Sequence, residues 1–113
     1  MKLLEDLSVK TALVQLNPTV GDVRGYLELV RETVRSAADS GAELVVLSEL
    51  VLSGYPPRDL LLREGCVDAC DLAVDELASS LPPRMGVILG HPTRRSVPNG
   101  QIANGASLLC DGK

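Results

Sequence analysis

The chain has 113 residues, 45% of them hydrophobic and 23% charged, with a formal net charge of -4. That is the composition of one globular domain, and it excludes disorder, a basic footprint for nucleic acid or an anionic membrane, and any apolar run long enough to cross a bilayer. With no Phe or Trp and only two Tyr, the core has to be aliphatic.

The opening stretch, MKLLEDLSVK, is too short and too charged for a signal peptide, so a soluble cytoplasmic chain is expected. Val9 to Leu16 is an aliphatic run stopped by Asn17 and Pro18 and reads as a buried strand. Asp22 then predicts a helix cap, followed by Val23, Leu27, Val30, Val34 and Ala37 at spacings of four and three, with Gly41 ending the helix. Glu43 to Ser48 is almost continuously apolar, which predicts a parallel strand covered on both sides. After the Pro56-Pro57 turn a second helix is expected, with Val67, Cys70, Val74, Leu77 and Leu81 on its apolar face. Asp68, Asp71, Asp75 and Glu76 fall largely on the other face, and Pro82 and Pro83 stop the helix. Met85 to Gly90 and Gly105 to Cys110 read as third and fourth strands, joined by an exposed polar loop over Thr93 to Gln101. Strand and helix alternate, which argues for parallel strands with right-handed crossovers in an α/β layered fold. Asp111-Gly112 is a two-residue hairpin signal, so the chain reads as cut short after it.

In such sheets the ligand crevice lies beyond the carboxyl ends of the strands. Glu49 stands there, after the second strand, where partial burial could tune a carboxylate into a general base. Pairing with an Arg or with backbone N–H groups of the next turn explains its position equally well. Tyr55 either lines the same crevice or packs over the turn. Asp59 reads as a helix cap, and His91, the single histidine, as a turn residue with no recognisable nucleophile to serve. Cys66, Cys70 and Cys110 read as small, reduced core residues. No metal is expected, since one His cannot complete a Cys/His zinc site, and no phosphate-binding glycine loop opens a helix.

Five segments together carry a resemblance: ALVQLNPTVGD (12–22), GAELVVLSEL (41–50), GYPPRDLLL (54–62), LGHP (89–92) and NGASLLCDGK (104–113). In this order they resemble the carbon-nitrogen hydrolase domains of the nitrilase superfamily, and within it the N-terminal glutaminase domains of glutamine-dependent NAD+ synthetases. Ser48 stands where that family usually has proline, and Ala103 where it usually has tyrosine. The resemblance implies a four-layer αββα sandwich, of which residues 1–113 would be the N-terminal half, and a Glu-Lys-Cys triad. It assigns Glu49 as the general base and places Tyr55 near the substrate pocket. The family's lysine and nucleophilic cysteine lie beyond Lys113, and none of Cys66, Cys70 and Cys110 matches the cysteine motif. Glutamine is the implied substrate of the complete domain. ATP and Mg2+ belong to an implied synthetase domain outside these residues, which would use the ammonia to amidate nicotinic acid adenine dinucleotide. The chain alone is expected to be inactive. As half of a sandwich with an uncovered apolar face, it is expected to form a homo-oligomer. The alternatives are a fragment of another nitrilase-family amidase and a non-catalytic module that pairs with a partner.

Overall fold

Two helices lie against one side of a four-stranded sheet in the computed structural model, which describes residues 9–16, 22–48, 51–52, 65–98 and 101–112. The elements in chain order are β1 (Thr11–Leu13), α1 (Val23–Asp39), β2 (Leu44–Val46), α2 (Cys66–Ser80), β3 (Gly86–Thr93) and β4 (Ala103–Leu109). The strands stand side by side in that same order. β1, β2 and β3 are parallel, while β4 returns antiparallel to β3. The antiparallel return follows from length, because the segment after β3 carries no crossover helix and can only turn back.

The local signals behave as chemistry dictates. The Asp22 carboxylate accepts the Gly25 N–H at 3.0 Å and so caps α1. A Cβ at Gly25 would meet the Asp22 carboxylate, so a larger residue there would push the capping side chain aside. Gly41, with φ +88°, ends the exit from α1 in the left-handed region. Asp111 and Gly112 both have positive φ, the pair of conformations a two-residue hairpin turn uses.

Strand alternation divides the sheet into two faces. Ala12, Val45, Val87 and Leu109 are mutually in register across all four strands and face the helices. Val23, Tyr26, Leu27, Val30 and Val34 of α1, with Cys70, Ala73, Val74 and Leu77 of α2, complete the core. The next row, Leu13, Val46, Ile88 and Leu108, is equally in register and faces away from the helices, with Leu13 81% and Leu108 67% exposed. The expectation that the second strand is covered on both sides is therefore corrected. Among the described residues only one face of β2 is covered, and Leu44 and Val46 are half-buried.

Four further expectations are corrected. The third strand runs on to Thr93, so His91 is a strand residue and not a turn residue, and Thr93 is buried rather than part of the exposed loop. Asp71, expected on the polar face of α2, is buried. The reason is a partner that helical periodicity cannot see: the Thr93 hydroxyl donates to Asp71 Oδ1 at 2.6 Å, and the Arg94 N–H to Oδ2 at 3.3 Å. Beside it Arg94 binds Asp68 at 3.0 Å, and Arg95 binds both Asp75 oxygens at 2.8 Å. The Arg95 hydrogen bonds hold the Asp75 carboxyl below its ordinary range. Three aspartates of α2 thus meet three consecutive residues at the end of β3. Finally, Cys110 is exposed, not a core thiol, because β4 has ended before it.

Two stability outcomes follow for urea unfolding of the chain. Leu27→Ala, which truncates a fully buried side chain, is expected to lose about 2–5 kcal/mol, whereas Leu13→Ala on the open face stays within about 0.5 kcal/mol. Asp71→Ala leaves the Thr93 hydroxyl and Arg94 N–H without their acceptor and is expected to lose about 1–3 kcal/mol. Asp75→Ala, which breaks an exposed pair, is expected to lose clearly less.

Candidate active site

The carboxyl ends of the three parallel strands lie at one end of the sheet, and the hydrogen bonds there continue past the last regular strand residues. The Val14 N–H donates to Val46 O at 2.9 Å and the Leu47 N–H to Ile88 O at 2.8 Å. Beyond them Gly90 is used twice. Its N–H donates to Ser48 O at 3.2 Å, and its carbonyl accepts the Val51 N–H at 2.9 Å. The chain on either side of residues 49–50 is therefore tied to one residue of β3. Glu49 itself, like Tyr55 and Asp59, lies outside the described residues; the structure describes the frame that flanks it.

Two depressions open on the uncovered face at this end of the sheet. One is lined by Leu13, Gln15, Val46 and Ser48, the other by Leu47, Ile88, Gly90 and Asn104. Both combine apolar side chains with a few polar groups, the usual make-up of a small-molecule site. Gly90 and Asn104 fall in the segments LGHP and NGASLLCDGK that carry the resemblance, but nothing in the sequence singles either out as a lining residue. Gly90 reads as one more strand residue, and Asn104 acquires its place only once β4 folds back.

The other titratable candidates lie elsewhere. His91 is buried on the helix side of the sheet, where Nε2 is 2.7 Å from Ser107 Oγ and Nδ1 is 3.1 Å from the Pro92 carbonyl. The Asp71 carboxylate stands 3.9 Å from Nδ1. This Ser-His contact sits within the layer packed against α2, so it ties β3 to β4. Cys66 and Cys70 belong to α2 on the same covered side, and Cys110 follows β4 at the opposite end of the sheet from Ser48. Burial pushes the Cys70 thiol up to about 12, with the nearby Cys66 and Asp71 adding to the rise. No described thiol therefore stands at the crevice. No helix among the described residues is long and apolar enough to cross a membrane.

Comparison with known proteins bears on what this frame is for. A glutamine-dependent NAD(+) synthetase from Xylella fastidiosa is 36% identical over 106 residues, covering 93% of this chain and 19% of the relative. The solved glutamine-dependent NAD+ synthetase of Acinetobacter baumannii superposes with a TM-score of 0.83 at 28% identity, over 93% of this chain and 19% of that one. An amidase from Nesterenkonia sp. shares the fold, with a TM-score of 0.72 at 23% identity, over 88% of this chain and 37% of the amidase. The chain thus spans about a fifth of the length of the synthetases it matches. The nitrilase-like half-sandwich expected from the sequence is the fold observed. The family model described as carbon-nitrogen hydrolase matches residues 10–112, nearly the whole of the layered unit described above, and the chain belongs to that family.

Proposed function

We propose that this chain is part of a glutamine-dependent NAD+ synthetase and supplies the general base of its glutamine-hydrolysing domain. The observation that carries the reading is the 36% identity to the Xylella fastidiosa synthetase along 93% of the chain. Support comes from the doubly anchored frame, since Gly90 ties Ser48 and Val51 on both sides of Glu49 at the carboxyl end of a parallel strand.

In this reading the Glu49 carboxylate takes the proton of a cysteine thiol as its sulfur attacks the side-chain carboxamide of glutamine. It then returns the proton to the departing nitrogen, so that ammonia leaves and a thioester remains. Water, deprotonated by the same carboxylate, cleaves the thioester to glutamate, and the carboxylate hands that proton to the departing cysteine sulfur. A lysine ammonium offsets the negative charge on the tetrahedral oxygen. Cysteine and lysine come from chain beyond these residues, as do the ATP and Mg2+ site and the amidation of nicotinic acid adenine dinucleotide. Tyr55 would border the glutamine pocket, and the working form is a homo-oligomer in the cytoplasm. On its own the chain holds a base without a nucleophile and releases no ammonia.

The test is a graft. Residues 10–112 replace the matching segment of the Xylella fastidiosa synthetase, and NAD+ formation is measured with glutamine and, separately, with ammonium as the nitrogen source. The chimera is expected to use both. Glu49→Gln in the chimera is expected to lower glutamine-dependent synthesis by about 10²–10⁴-fold and leave ammonium-dependent synthesis unchanged. A chimera active with ammonium alone, or one indifferent to Glu49→Gln, overturns the assignment.

A further inference from the structure

A cleft in the helical layer, between α1 and the end of α2, takes no part in the proposed chemistry. Glu28, Arg31 and Arg35 follow one another along α1 at spacings of three and four, so they share one stripe of the helix. α2 ends where Leu81 turns extended ahead of Pro82, a residue that disfavours a helical conformation before it. That corner, with Val34 and Leu77, gives the cleft apolar walls, while Arg31 and Arg35 line it from α1. Its volume is about 270 Å³, near the lower end for small-molecule pockets.

Hydrogen-bond donors outnumber acceptors there. Arg31 Nη1 donates to Glu28 Oε1 at 2.6 Å and Nη2 to Glu76 Oε2 at 3.4 Å, but its Nε is buried without an acceptor. Buried donors are normally paired, so this one points to a group that the cleft receives. Arg35 is exposed and has no partner among the described residues. Arg24 also lies 2.9 Å from Glu76, so three arginines, 24, 31 and 35, meet two glutamates, 28 and 76, which leaves one positive charge in excess. The carbonyl end of α2 is partly quenched, because the Ser79 and Ser80 hydroxyls donate to the Glu76 and Leu77 carbonyls.

We propose that this cleft binds a small organic monocarboxylate with an apolar body. The carboxylate accepts the Arg31 Nε–H and the Arg35 fork and balances the excess charge, and the body lies on Val34, Leu77, Leu81 and Pro82. Inorganic phosphate suits the cleft less well, since it brings more charge than the excess and nothing for the apolar walls. The cleft belongs to the helix side of the sheet, away from the depressions beside residues 49–50, so a bound acid clamps α1 to α2 without entering them.

The full 113-residue chain, isotope-labelled for NMR, is titrated with sodium phenylacetate. Phenylacetamide, which keeps the shape without the charge, and acetate, which keeps the charge without the ring, are the controls. The expected result is saturable shifts at millimolar concentration, confined to the Arg31 and Arg35 Nε–H signals and the methyl groups of Val34, Leu77 and Leu81, with neither control producing them. Arg35→Gln, an exposed change that leaves the thermal melt in place, is expected to weaken phenylacetate binding about tenfold. Arg31→Lys, which keeps the charge and removes the Nε–H, is expected to weaken it as well. The proposal is overturned if phenylacetate gives no saturable shift in these groups, if phenylacetamide binds as tightly, or if either variant binds phenylacetate as tightly as the parent chain.

Discussion

The apolar row Ala12, Val45, Val87 and Leu109 is the constraint on which the other parts rest, because it fixes three things at once. It sets which face of each strand meets the helices, it aligns four strands from distant parts of the sequence, and it orients the alternate residues away from α1 and α2. A strand's side-chain period is two, so a slip of one residue would exchange the buried row for the exposed one. β1 and β2 are only three residues long and have little ladder of their own. Their position therefore depends on Val45, fully buried under the helices, more than on hydrogen bonds.

The crevice inherits its placement from that alignment. Once Val45 and Val87 are opposite each other, Ser48 arrives at Gly90, and the chain resumes at Val51 against the same residue. A second set of contacts keeps this end of β3 in place from the helix side. Asp71 and its hydrogen bonds to Thr93 and Arg94 hold the end of β3 to α2, while the His91–Ser107 contact joins β3 to β4. The frame around Glu49 is thus supported through β3 and not by the strand that carries it.

Much of this was legible in the residues. The α1 cap at Asp22, the stop at Gly41, the apolar spacing of both helices and the succession of strands and helices along the chain all follow from local chemistry, which a sequence displays directly. The burial of Asp71 was not legible. Its spacing places it among acidic neighbours, and only the arrival of Thr93 and Arg94 turns an exposed position into an interior one. The place of His91 inside a strand was not legible either, because β3 runs on through Pro92, which stands in register with Asn104. Of the site, the sequence shows the carboxylate and the strand that leads to it, while the roles of Gly90 and Asn104 arise only from pairing between strands.

The antiparallel return of β4 also bears on how the sheet assembles. β3 and β4 pair at seven positions across one short loop, whereas each parallel pairing has to wait until a segment containing a whole helix has been brought round. Loop closure is entropically least demanding for the shortest separation, and local contacts form faster than distant ones. The β3–β4 hairpin is thus the natural nucleus, presenting an edge onto which β2 and then β1 add in turn. Synthesis, however, delivers these elements in the reverse order, so the first half of the chain emerges before the template it needs.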